Sequence, residues 1–137
     1  MRQIIIIFLL MACINSCTQT ESKRPTTAME VGNSFIRATL DGDFKNAAAL
    51  MYNDSANNEI FEAFKRSFEA FSKDKKASYK NASYTVNSFT EINDSTSILD
   101  YSNTFMKQKQ KIKLIKKAAQ WSVDFKYTTG DTTTVTK

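Results

Sequence analysis

The spacing of hydrophobic positions changes once along this chain, near Ser78. Before that point the spacing is helical. Ala28, Val31, Phe35 and Ala38 fall three and four residues apart, with Met29, Ile36 and Leu40 widening the stripe. This predicts a helix from Thr27 to about Leu40. Gly42 suits the left-handed conformation that closes a helix, and Asp43 stands where the N-cap of a second, short helix belongs. That helix would present Ala47, Leu50 and Met51. A cluster of turn and cap residues, Asn53 to Asn58, leads into a third helix. Its Phe61, Phe64, Phe68 and Phe71 recur at steps of three, four and three. Burying each ring is worth about 1.5–3 kcal/mol, so this stripe is the largest predicted block of core. Lys73 to Lys76 carry the charge expected at the negative C-terminal end of the third helix.

After Ser78 the period becomes two. Ser83 to Ile92 is rich in β-formers and ends at the turn signal Asn93-Asp94. Ser95 to Met106 places Leu99, Tyr101 and Phe105 on one face. Lys107 to Lys116 alternates lysine with Gln110, Ile112 and Leu114, and Lys117 to Gln120 reads as a turn. In the last strand Trp121, Val123, Phe125 and Tyr127 share one side, with Ser122, Asp124 and Lys126 on the other. Helices followed by an antiparallel meander predict an α+β domain, with about three N-terminal helices packed in a curved sheet of about four strands.

The first residues read as a targeting segment. Arg2 supplies the positive end and Ile4 to Met11 an apolar run, shorter than the roughly 20 residues that span a bilayer. The cysteines that follow resemble the lipobox of bacterial lipoproteins, where a small residue precedes a lipidated cysteine. Cleavage before Cys17 leaves the polar run Thr18 to Arg24 as a tether; Cys13, after Leu10-Met11-Ala12, is the alternative. The expected organisation is a signal over residues 1–16, a flexible tether over 17–26, one domain over 27–127 and a disordered tail over 128–137. With 137 residues the chain has room for one domain.

Composition narrows the chemistry. The chain has no histidine, which removes Ser–His–Asp and Cys–His hydrolases and histidine-based zinc sites. The net charge of +5 is below that of a dedicated nucleic-acid binder. No phosphate-binding glycine loop or calcium loop is present, and no cofactor or metal is expected.

Two blocks carry a family resemblance. In "FIRATLDGDFKNAAALM" these are Phe35, Ala38, Leu40, Gly42, Asp43, Ala47 and Leu50; in "LIKKAAQWSV" they are Leu114, Ile115, Lys116, Trp121 and Val123. Their order resembles the small bacterial lipoproteins of domain of unknown function 4878, in the nuclear transport factor 2-like superfamily with its cystatin-like cone fold. The resemblance spans roughly Thr26 to Tyr127. It implies a bent sheet wrapped around helices, often with a pocket at the open end, and it carries no catalytic residues. An acidic residue and a glycine usually precede the tryptophan in that family. Here Ala118, Ala119 and Gln120 stand there, which leaves the turn type open.

The expected function is a lipid-anchored cell-envelope protein, on the outer membrane with its periplasmic or surface face undetermined. Its domain would be a non-catalytic binding or assembly module, monomer or homodimer. Its partner would be an envelope protein or a small apolar ligand, with Phe35, Phe64, Phe68, Tyr101 and Trp121 as candidate pocket lining. The alternative is a small isomerase-like enzyme using a Tyr/Asp pair on an apolar substrate in the cone. Its candidates are Tyr84, Tyr101 and Tyr127 with Asp100 and Asp124, but strand alternation turns both carboxylates toward solvent. Lys107, Lys109, Lys111 and Lys113, with Lys116 and Lys117, place six positive charges in eleven residues. They read as a solvated strand face that discourages edge pairing or as a surface for an anionic partner. Nucleic acid is not expected, because no aromatic residue interleaves with the lysines.

Overall fold

The computed structural model describes residues 23–130. The expected signal, Cys13, Cys17, tether residues 18–22 and tail residues 131–137 lie outside the described residues. Helix α1 (Ala28–Asp41) opens with a reciprocal cap. The Thr27 hydroxyl accepts from the Glu30 N–H, and the Glu30 carboxylate accepts from the Thr27 N–H at 3.1 Å. Two donors that a helix start leaves free are thereby satisfied. These hydrogen bonds, that of the Thr27 N–H first, hold the Glu30 carboxyl below its usual range. At the other end Gly42 takes φ +73° and closes the helix in the left-handed conformation. Asp43 then caps α2 (Phe44–Leu50), accepting from the Asn46 N–H at 3.1 Å and from the Asn46 side-chain amide. The helix stop and helix start expected at this pair are both present.

Helix α3 (Ser55–Glu69) starts from the Asp54 cap and ends at Ala70, so Phe71 follows it. The lysine-rich segment is not its C-terminus. Ser72 accepts from the Lys75 N–H at 3.3 Å and starts a further helix, α4 (Lys73–Lys80). Lys76 still serves the end of α3, but from the next helix, donating Nζ to the Glu69 carbonyl at 2.8 Å.

Strands β1 (Tyr84–Asn93), β2 (Thr96–Asn103), β3 (Lys109–Lys117) and β4 (Gln120–Asp124) pair antiparallel in sequence order. Leu99 lies opposite Ile112, and Leu114 opposite Val123, all four fully buried. Lys107 sits in the preceding turn at φ 55° and is not part of the strand. The outer edge of β4 is covered: Met51 bridges Val123, and the Tyr52 N–H donates to the Val123 carbonyl at 2.9 Å.

The last strand is shorter than expected, because the chain turns at Phe125 into helix α5 (Phe125–Gly130). The Phe125 ring packs 5.3 Å from Phe61 and 5.7 Å from both Phe35 and Phe64. The Asn57 side-chain oxygen meanwhile accepts from the Lys126 N–H at 2.8 Å. Both interactions draw the chain out of extended conformation, so Tyr127 is on a helix and not on a strand face. The fold is thus α+β, with five helices among the described residues where about three were expected, and a four-stranded antiparallel sheet.

The core lies between α1 and the sheet. A Cβ at Gly32 would stand 2.8 Å from Leu99 Cδ1, so α1 presses its backbone onto β2 there. Beside this aliphatic layer runs a continuous series of aromatic rings. It passes from Phe125 through Phe61, Phe64, Phe44 and Phe68 to Tyr79 and Phe105, with centroids 4.9–6.2 Å apart at successive steps. Such offset and edge-on contacts are each worth about 0.5–1.5 kcal/mol beyond area burial.

Candidate functional site

An open groove of about 670 Å³ runs along the outer side of α1 and α2. Its walls are the incoming chain at Lys23 to Pro25, Asn33, Ser34, Arg37 and Asp41 of α1, Asn46 and Ala49 of α2, the Asp43 cap between them, and Tyr84 of β1. The Gly42–Asp43 link sets its position, since it passes from one helix to the next within two residues. Arg37 holds one wall rigid. It grips Asp41 with Nε and Nη2 at 3.1 and 3.0 Å and donates to the Lys80 and Ala82 carbonyls at 3.0 and 3.3 Å, tying the end of α4 to α1. The Tyr84 hydroxyl donates to Asn33 Oδ1 at 3.4 Å across the floor.

Arg24 fixes the opposite end. It donates to the Ala49 carbonyl at 2.6 Å and the Trp121 carbonyl at 3.5 Å. With the Gln120 amide turned so that its oxygen faces the guanidinium, Gln120 accepts from Nη2 at 3.0 Å and Nη1 at 3.2 Å. The end of the tether is therefore strapped to the last turn of α2 and to β4.

A second polar constellation is buried. Asp124 is only 6% exposed, which corrects the expectation that it faces solvent. The end of β4 turns inward there, and the start of α3 and the following α5 cover it. Its carboxylate accepts from Asn57 Nδ2 at 3.3 Å and pairs with Lys126 at 3.3 Å and Lys113 at 3.6 Å. Lys126 also pairs with Asp54 at 2.7 Å. That hydrogen bond, ahead of other causes, lowers the Asp54 carboxyl and raises the Lys126 ammonium from their ordinary values. Asn57 is fully buried at the centre. The sequence reading missed Asn57, which it took as one of a run of turn residues. A buried charge needs compensating partners to persist, and here two lysines and an amide supply them.

The other candidates are dispersed. Phe35 is buried against Phe61 and Phe125, while Phe64 and Phe68 belong to the ring series. Tyr101 packs edge-on to Tyr84 at 6.4 Å, and burial pushes its hydroxyl well up, with nearby Tyr79 adding to the shift. Trp121 is half-buried with Lys116 Nζ 5.8 Å from its ring centre. Asp100 accepts from Asn87 at 3.0 Å and lies opposite Lys111. None of the five candidate lining residues borders the α1–α2 groove. On β3, Lys109 and Lys111 are exposed, whereas Lys113 is committed to Asp124 and lies 5.4 Å from the Tyr127 ring centre.

Among the described residues, no group of three or more His, Cys, Asp or Glu is placed to hold a metal ion, and no helix is long and apolar enough to cross a membrane. Comparison with protein-family models, curated proteins and solved structures finds no match to this chain.

Proposed function

We propose that the protein is a lipid-anchored cell-envelope binding module of the nuclear transport factor 2-like type, tethered through Cys17 to the outer membrane. Its non-catalytic domain takes a polar segment of an envelope protein in the groove between α1 and α2. The groove carries this reading. It is open, it presents amides, a hydroxyl and both signs of charge, and its walls are braced by Arg37 and Arg24. A braced surface that mixes these polar groups with Pro25, Ala38, Ala49 and Leu50 suits a peptide backbone and its side chains better than a small, wholly apolar ligand. The apolar rings expected to line a cone pocket instead pack on one another. The isomerase-like alternative gains little support, because Asp124 is held between two lysines and Asn57.

Two measurements test the reading. Mass spectrometry of the mature N-terminus should find an acylated Cys17; a chain starting at unmodified Thr18 would sink the anchor. A photo-crosslinking side chain at Ser34, on the groove wall, should give a defined adduct in intact envelopes. The same group at exposed Thr90 of β1 should not. Identical products from both positions would count against the groove.

A further inference from the structure

The strap at Arg24 gathers positive charge that the sequence scatters over almost a hundred positions. Arg24 bonds to the Trp121 carbonyl, and Trp121 lies directly opposite Lys116 in the β3–β4 hairpin. Lys117 lies opposite Gln120, whose amide meets the same guanidinium. Lys23 adjoins Arg24 in the chain. Lys23, Arg24, Lys116 and Lys117 are all exposed. Half-buried Trp121 has Arg24 on its carbonyl and Lys116 Nζ 5.8 Å from its ring centre, while Lys117 leaves the other face of the same hairpin end beside Gln120. The acidic side chains that share walls with Lys23 and Arg24 are engaged elsewhere. Glu30 is in the α1 cap, Asp41 is paired with Arg37, and Asp43 caps α2.

We infer that this patch is the surface on which the domain rests against anionic phospholipid headgroups, an inference that rests on lipid attachment at Cys17. Five residues lie between Cys17 and Lys23, six steps along the chain. Whatever their conformation, they cannot span more than about 20 Å, and as a flexible coil they would span roughly 13 Å. That is close to the Debye length of about 8–10 Å at physiological salt, so charges at Lys23 and Arg24 are held where a headgroup field acts on them. Tryptophan favours the membrane interface, where its ring is apolar and its N–H is wet. The strand lysines are less suited to this role. Lys113 is paired with Asp124, and Lys111 lies opposite Asp100.

The chain has a single tryptophan, so its fluorescence reports on the patch directly. The acylated full chain is reconstituted on vesicles of brominated phosphatidylcholine, with or without brominated phosphatidylglycerol. Trp121 should be quenched only when phosphatidylglycerol is present. The quenching should disappear near 1 M salt, where the Debye length falls to about 3 Å, and in Lys116→Glu/Lys117→Glu, while the protein stays attached by its lipid. An unchanged circular dichroism spectrum and melting temperature show that the variant is folded. Equal quenching on neutral and anionic vesicles, no quenching on either, or quenching untouched by the double variant would overturn the inference. Failure to float with phosphatidylcholine vesicles would instead overturn the anchor. The patch would still be judged by phosphatidylglycerol-dependent quenching of the unattached chain.

Discussion

Ala118 and Ala119 connect β3 to β4 with φ of 46° and 62°. A two-residue hairpin loop with both φ values positive ordinarily takes Asn-Gly or Gly-Gly, and an L-residue with a Cβ is disfavoured there by about 1–2 kcal/mol. Replacing Ala119 by Gly should relieve that strain but add unfolded-state entropy. The expected net effect is a stabilisation of about 0.5–1 kcal/mol, read as a higher urea midpoint at unchanged slope. Gly32 presents the opposite case. A methyl group there meets Leu99 Cδ1 at 2.8 Å and Leu114 Cδ1 at 3.4 Å, and both leucines are fully buried. Overpacking of about 1–3 kcal/mol should outweigh the helix-propensity gain of about 1 kcal/mol. Gly32→Ala is therefore expected to lower stability in the same denaturation assay. Asp43→Ala should cost about 1 kcal/mol through loss of the α2 cap, whereas Asp43→Ser should keep most of that stability.

At the scale of elements, the junction between α3 and α5 depends on charge. The Asp54 carboxyl is lowered in the folded state, mainly by its hydrogen bond from Lys126. Its contribution is therefore present above the unfolded value near 3.9 and is lost as pH falls through the lower folded value. Lys126 is raised, mainly by the same bond. Its contribution is present below the unfolded value near 10.4 and is lost as pH rises through the higher folded value. Asn is as good an N-cap as Asp, so Asp54→Asn removes the charge and spares the cap. Thermal melts between pH 7 and pH 3 should show a shallower acid decline in Asp54→Asn than in the parent chain. Parallel declines would mean that the pair does not matter. The helix start at Ser72 belongs to the same scale. Serine in a charged run is a weak signal in sequence, because the lysines around it fit either end of a helix. Only the Lys75 N–H turned toward its hydroxyl shows which end is present.

Across the whole molecule the aromatic series joins α2, α3, α4 and α5 into one unit, and Tyr79 is its ionisable member. Burial raises the Tyr79 hydroxyl to about 12. An unfolded chain releases that proton near pH 10, so stability should fall between about pH 10 and 12 while the folded state still holds it. Tyr79→Phe removes this dependence, and its alkaline unfolding curve should shift to higher pH. The shift should be partial, since Tyr101 is raised as well. An unmoved alkaline limb would show that other groups control it.

Sequence pattern alone determined the order of the first three helices and the four strands, the alternation that buries Ile112 and Leu114, and the stop and start at Gly42 and Asp43. Each depends on residues within a few positions of one another, where steric and capping preferences act. Tertiary structure decided what depends on distant partners. Asp124 became buried because Asn57 and Lys113 reach it from other elements. Phe125 left the strand because its ring found Phe35, Phe61 and Phe64. The groove exists only where residues 23–25 and Tyr84 come up against α1 and α2, and the basic surface only where Arg24 meets β4. Alternation predicts which side of a strand a residue takes, but not whether that side is covered; the packing of remote segments settles that.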